Sequence, residues 1–567
     1  MPETSASTPP GIPAETIEIH NARDIYSRAP VSLRLKDGRI DWIGAPGSMP
    51  DGEAEDSPGN SAGARRIEAE GLWVCPGLCD SHLHLFTGGV TLTQLSLFGI
   101  DTREDFAAAL ADYRRGREAD PLLCAISANY EILGPGTRPD RHALDALLPD
   151  QPLVIYAVDL HTSWANTAAL TAAGLMDHVP EVKNAEIVLG PDGKPNGELR
   201  EGNAMRLVGR LSANGGRDNA AMAGDEPGEV TETERAADKA ALAAAMQACA
   251  AYGITTGVNM DGNLYQAELL SEMERDGELP IRVSLAMRLS PAHDEARIAE
   301  LIEAATRPGS EKLSFGRIKM FLDGVFDTWT AYRTDDYPDR QGFRSEPLFA
   351  PDRFEAICKA ADARGLQIQV HCVGDAAVKT ALDGYQAARE ANGARESRHR
   401  VEHIDMLHPD DLARFAALDV VASMQPVHPP GSSGLPLEPT VSIMGRARWK
   451  DTFPWKTLQD AGASLAFGTD WPTAPLSPFN AIHSALAREP WAADVPDQRI
   501  PFEAVIDAYT AGGAHALFAE GTRGRLAPGK AADVVLLQGD PRELLGGPEA
   551  CRAHTTICDG RVIYERG

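Results

Sequence analysis

A (β/α)8 TIM-like barrel with an inserted subdomain and a small β-sandwich built from both chain ends is the α/β fold that this sequence predicts. Three observations lead there. The middle of the chain alternates helical and strand-like patterns, which indicates a parallel sheet. Both ends are instead rich in short strand patterns with Asp-Gly turns. Several apolar strand candidates run into histidine or aspartate, and a barrel gathers its functional groups at the C-terminal ends of its strands.

Taken in order, residues 1–15 have neither a basic n-region nor an apolar h-region. They are expected to be a disordered leader and not a signal peptide, which makes a cytoplasmic location the default. Ile17–Asn21, Val31–Lys36 and Asp41–Gly44 read as strands, the last two joined by a hairpin turn at Asp37-Gly38. Residues 46–64, rich in Gly, Pro, Ser and acids, read as a surface loop. At the far end, Arg525–Leu537 and Thr556–Tyr564 add strands around an Asp559-Gly560 turn. Isolated hairpins are marginal in water, so 16–72 and 521–567 are expected to join in one sandwich flanking a barrel at 73–520.

The middle offers ten strand candidates: the segment leading to His82, then Leu122–Ser127, Leu153–Val158, Ile254–Met260, Arg282–Met287, Arg317–Leu322, Ile368–Cys372, Arg400–Ile404, Val420–Met424 and Ser464–Gly468. A barrel of this type uses eight. Leu122–Ser127 and Leu153–Val158 are therefore assigned to an insertion, residues 91–233, in which Asn214–Thr233 is expected to be an exposed or mobile loop and a candidate lid. Helices are expected at Glu234–Tyr252, Pro351–Arg364, Ala376–Asn392 and Pro501–Ala514.

Composition excludes some functions. The hydrophobic share of 43% and charged share of 24% are those of a globular protein. No apolar run reaches the ~18–20 residues that span a membrane. A formal net charge of −28 speaks against a nucleic-acid partner, which needs a basic face. The eight cysteines are sparse for 567 residues, and Cys75 and Cys79 are read as packing residues because no second pair completes a four-sulfur site.

The chemistry centres on Val74–Phe86, VCPGLCDSHLHLF. If Val74 and its neighbours form a buried strand, residues two apart share a face, so His82 and His84 project together. Paired imidazoles suit Zn²⁺ and related divalent ions, although an H-x-H pair can equally decorate an exposed strand. Four further strand candidates end in suitable groups: Lys319 with Asp323, His371, His403 and Asp470. Lys319 inside an apolar strand is costly unless paired or chemically modified. Together these residues point to a metal site serving a small-molecule substrate. Trp329, His428 and Trp471, on later loops, are candidate substrate contacts.

These motifs, PGLCDSHLHL, DLHTSWANTAAL, KMFLDG, HCVGDAA, RVEHID, FGTDWP and LAPGKAADVVLL, resemble the metal-dependent amidohydrolase superfamily, in the branch that includes N-substituted formamide deformylase. The resemblance spans nearly the whole chain. It implies His82, His84 and Asp470 on one metal and His371 and His403 on a second, most simply zinc. Lys319 would bridge them, a role that a carboxylated lysine fills. It further implies a pocket near His161 and Trp164, and a homo-oligomer. The expected reaction is hydrolysis of a C–N, amide-type bond by metal-activated hydroxide, with Asp470 as proton shuttle. A metal-dependent esterase, lactonase or carbamate hydrolase is the alternative on the same barrel. A silent scaffold is disfavoured, since all six ligand positions are filled. The stretch Ala128–Arg141, with GPGTRPDR, departs from the family pattern and leaves the substrate open.

Overall fold

The structure, a computed structural model, describes residues 16–50, 64–182 and 185–567. The expected leader and most of the 46–64 loop lie outside the described residues. Eight parallel strands form the barrel: β1 Leu78–Leu83, β2 Ile254–Gly262, β3 Arg282–Arg288, β4 Arg317–Phe321, β5 Gln367–Cys372, β6 Arg400–His403, β7 Val421–Met424 and β8 Ser464–Phe467. They neighbour one another in chain order, with helices such as Leu264–Arg275, Glu295–Ala305, Pro351–Ala363 and Asp375–Asn392 between them. Covered on both faces, the strands are buried along almost their whole length. β8 comes back to β1 through a parallel bridge between Leu83 and Trp471.

The segment around Val74 does not run on into the H-x-H strand. Leu72–Pro76 pairs with Val534–Gln538, and β1 begins afresh at Leu78. Gly77 makes the break: a Cβ there would meet Thr255 Oγ1 at 2.2 Å, and its N–H donates to Asp533 O at 2.8 Å. Strands from the two chain ends meet in one eight-stranded sheet, ordered Arg561–Glu565, Arg552–Cys558, Val534–Gln538, Leu72–Pro76, Ile17–Asp24, Pro30–Lys36, Arg39–Gly44, with Arg65–Glu68 beside Ile17–Asp24. Ile17, Leu33, Leu35, Val534, Leu536 and Ile557 share its core.

Between β1 and β2 lies a separate six-stranded sheet that contains both surplus strands, Leu123–Ala128 and Leu153–Ala157. Its other strands, Leu95–Ser96, Thr162–Ala165, Glu186–Leu189 and Pro195–Arg200, are too short or too polar to read from the sequence. Two expectations are corrected. Asn214–Thr233 is not one loose loop: Arg217–Ala223 is a helix between left-handed Gly216 and Gly224, and Arg217 is buried against Asp238, with Nε and Nη2 on its carboxylate at 2.7 and 3.0 Å. Pro501–Ala514 is not one helix but two, Phe502–Ala508 and Ala511–Ala516. The carbonyl of Tyr509, which would continue the ladder, accepts instead from Cys79 N–H at 2.7 Å. All eight cysteines are buried and unpaired. Among the described residues no helix is long and apolar enough to cross a membrane.

Candidate metal centre

The barrel seam and the site coincide. His82 lies near the end of β1, and His84 follows directly as the residue before the helix Leu85–Thr91. Asp470 N–H donates to His82 O at 2.7 Å and His84 N–H to Trp471 O at 2.9 Å, so backbone bonds that close the barrel also register these side chains. Asp80 reinforces the seam: Oδ1 accepts from the N–H groups of His82 and Thr469, and Oδ2 from Thr469 Oγ1. Gly468 permits the approach, since a Cβ there would meet His82 N at 2.6 Å. Asp470 and His403 sit at φ 59° and 72°. Left-handed backbone at non-glycine residues costs about 1–3 kcal/mol and collects at functional sites.

Asp470 is the hub. Its Oδ1 lies 3.1 Å from His84 Nε2 and 3.3 Å from His82 Nε2, and its Oδ2 lies 3.5 Å from His428 Nε2. Two three-residue sets converge closely enough to hold a metal ion: His82, His84 and Asp470, and His403, His428 and Asp470. The His403 ring lies 4.7 Å from that of His82, 4.4 Å from that of His371 and 5.6 Å from that of His428. His371 turns its Nε2 to Gly324 O at 3.0 Å and is in neither set. Lys319 is fully buried beside Phe321.

The electrostatics suit a cation. Burial first, and then the neighbouring Lys319 charge, hold His82 and His371 well below the ordinary histidine range. Burial, then His371 and Lys319, do the same for His403. Burial also lowers Lys319 to about 8. Burial alone would lower His84 too, but the nearby Asp261 and Asp470 carboxylates outweigh it and raise it to about 9. His82 Nε2, His84 Nδ1, His403 Nε2, His428 Nε2 and Lys319 Nζ are buried without a hydrogen-bond partner. Such groups are expensive unless something satisfies them. Converging imidazoles and a carboxylate are the donor set of a divalent ion, so these residues fit a metal.

Above them opens a cavity of about 450 Å³, lined by His82, His84, His371, His403, His428 and Asp470 on the barrel side. The insertion contributes His161, Glu201, Asp218 and Met222. His161 Nδ1 lies 2.9 Å from Glu201 Oε2, and this carboxylate outweighs burial to raise the imidazole to about 9. Glu201 itself has φ 65° and ψ 157°, a region that favours glycine.

Of the expected substrate contacts, His161 and His428 line the cavity, whereas the three tryptophans do not. Trp164 is fully buried in the inserted sheet, edge-on to Tyr130 at 5.3 Å. Trp329 borders a neighbouring hollow and donates from Nε1 to Asp339. Trp471 packs so tightly on Gly88 that a Cβ there would meet its ring at 2.1 Å. Aromatic bulk favours core packing, which the sequence does not distinguish from ligand contact. Residues missed from the sequence are Glu402, whose Oε2 lies 2.8 Å from His82 Nδ1, and the cavity-lining Glu201, Asp405 and Arg288. Glu402 stands beside His403 in the RVEHID motif, and Arg288 ends a barrel strand as the ligand candidates do; these positions were the available signals.

A parallel barrel whose strand ends gather imidazoles and carboxylates defines a metal-dependent hydrolase of the barrel class. The chain belongs to the amidohydrolase family, whose model matches residues 65–564. It is 28% identical to the protein LONG AFTER FAR-RED 3 of Arabidopsis thaliana, over 94% of this chain and 88% of that one. It is 24% identical to the N-substituted formamide deformylase of Arthrobacter pascens, over 94% and 95%. The fold matches a metal-dependent hydrolase from Pyrococcus horikoshii OT3 with a TM-score of 0.69 at 22% identity, covering 94% of this chain and 99% of that one.

Proposed function

We propose that the protein hydrolyses a C–N, amide-type bond of a small molecule, using one or two divalent ions, zinc foremost. The observation that carries this reading is the Asp470 carboxylate set among three imidazoles at the base of the cavity. The likeness to N-substituted formamide deformylase supports the bond type. His82, His84 and Asp470 would hold one ion. His403 with His428, or with His371, would hold a second. Lys319, carboxylated on Nζ, would exchange a buried cation for an anionic oxygen ligand and so remove its burial cost.

When bound, a divalent ion supplies Lewis acidity, which makes water nucleophilic near neutral pH and polarises the scissile carbonyl. The protein's residues supply the rest. Asp470 takes the proton of the attacking water and returns it to the departing nitrogen, which leaves as an amine only when protonated. The imidazoles of His82, His371 and His403, kept neutral by burial, present lone pairs. The cavity walls hold the substrate and limit water.

The test is metal content per chain by elemental analysis, then chelation, metal restoration and assay against formanilides, anilides and esters sharing one acyl group. One or two equivalents, with amide cleavage that follows the metal, is the expected result. Cleavage of esters alone would replace this reading with an esterase. A chain that takes up no metal would overturn it.

A further inference from the structure

Among the described residues Arg288 is the one arginine or lysine lining the cavity. It ends β3 and lies opposite Lys319 on β4, so its side chain leaves the barrel at the end where the metal centre lies. It is 7% exposed, yet forms no ion pair with any carboxylate among the described residues. Nε donates to Met222 O at 3.4 Å and Nη1 to Leu289 O at 3.2 Å, both long contacts, while Nη2 has no hydrogen bond among the described residues. Other buried arginines of this chain are matched with acids: Arg217 with Asp238, Arg282 with Asp533, Arg400 with Glu402. Arg317, Arg488 and Arg523 also lack one, but none of them lines the cavity.

The guanidinium lies over the Phe321 ring at 3.7 Å, and the same ring stacks on His371 at 4.4 Å. Phe321 thus acts as a spacer between the cation and the metal centre. Met222, Ser290, Pro291 and Ala292 line the cavity with Arg288, and the one carboxylate whose charge bears on it, Asp261, is not within ion-pair distance. A buried, planar cation with a free edge is costly unless an anion completes it, and its fork matches a carboxylate. Several acids elsewhere on the wall are already engaged, Asp159 and Glu201 with His161, Asp323 with three backbone N–H groups and Asp218 with Asn214, whereas Asp405 keeps a buried Oδ1 without a hydrogen-bond partner.

We propose that Arg288 binds a carboxylate carried by the substrate at the end remote from the scissile bond, so that the compounds hydrolysed are amide-type acids and not neutral amides. This rests on the amide-hydrolase reading above. The test compares formanilide with 3- and 4-carboxyformanilide, on the zinc-loaded wild type and on Arg288→Lys and Arg288→Met. The wild type is expected to favour a carboxylated compound in kcat/KM by about tenfold or more, mostly through KM, as one charge-assisted contact allows. Arg288→Met should erase that preference and Arg288→Lys reduce it.

Equal rates on charged and neutral compounds in the wild type would overturn the proposal even if neither variant folds, and so would a preference that survives Arg288→Met. If no amide of either kind is cleaved, the functional reading fails separately, and titration calorimetry of 3- and 4-aminobenzoate against aniline decides the subsite alone. Aminobenzoate binding that vanishes in Arg288→Met upholds it. Absent or unchanged binding overturns it.

Discussion

His82 and Glu402 stand 320 residues apart in the chain and 2.8 Å apart in the barrel, Nδ1 to Oε2. Glu402 is in turn gripped by Arg400, Nε to Oε1 at 2.8 Å and Nη2 to Oε2 at 3.0 Å, and all three are fully buried. A carboxylate on Nδ1 holds the proton there and turns the Nε2 lone pair towards Asp470. Such partners govern the affinity of the metal they never touch.

Glu402→Gln should therefore weaken metal binding about 10–100-fold, read by competition with a chromogenic chelator, with activity partly regained at high zinc. The uncompensated Arg400 should also lower the melting temperature, since breaking one side of a buried ion pair costs about 3–5 kcal/mol. A Glu402→Gln protein with wild-type metal affinity would remove Glu402 from the site.

Asp470→Asn tests the proton shuttle. Asparagine tolerates the left-handed backbone at this position better than alanine, so the fold should persist. It cannot accept and return a proton. We expect kcat to fall about 10²–10⁴-fold, with the protein still folded by circular dichroism. Near-normal kcat would exclude Asp470 from the proton-transfer step.

Much of this site was legible because barrel strands announce themselves. Most carry an apolar stretch, and the polar residue in or just after it, as in His371, His403 or Asp470, stands out against that background. What was hidden depends on distance in sequence. The link from His82 to Glu402 leaves no local trace, and His428, read as a substrate contact, sits on a loop whose sequence does not show that it meets Asp470. Helix Arg217–Ala223 is polar and glycine-flanked, and a buried pair with Asp238 secures it where local propensity does not. Trp164 shows the converse: an aromatic in a motif suggested ligand contact, but which face a strand residue takes is decided by the sheet it joins.

Lys319 is the residue whose chemistry is most easily followed. Its buried Nζ has no hydrogen-bond partner, and burial lowers it to about 8, which leaves part of it neutral and nucleophilic near physiological pH. Reaction of that amine with carbon dioxide would give the carboxylated form. Incubation with ¹³C-bicarbonate and metal should produce a carbamate carbon signal by NMR in the wild type that is absent from Lys319→Met. Lys319→Met should also bind fewer metal equivalents per chain. A wild type with full metal content and no carbamate signal would mean that the lysine acts unmodified.

The end of the barrel opposite the site carries its own buried clamp. Arg282 opens β3 and reaches Asp533 with Nε at 2.8 Å and Nη2 at 3.1 Å, and Asp559 with Nη2 at 3.1 Å, tying the C-terminal strands to the barrel. Burial alone would raise Asp533, but the Arg282 charge and hydrogen bond outweigh it and hold the carboxyl below the usual range. A carboxyl whose folded pKa lies below its unfolded value of about 3.9 stabilises the fold above that value, and the contribution is lost as pH falls through the folded pKa. Asp533→Asn should thus cost about 3–5 kcal/mol near neutrality, since Arg282 keeps only the more exposed Asp559 and Glu311, and lower the melting temperature accordingly. The gap to the wild type should stay constant from pH 7 to about 5 and narrow below about 4, as the carboxyl becomes protonated first in the unfolded chain and then, at lower pH, in the folded one. Because this clamp lies away from the strand ends that hold the ligands, activity per folded molecule should be retained. A melting-temperature gap that does not change with acid would show that Asp533 contributes through packing or a neutral hydrogen bond and not through its charge.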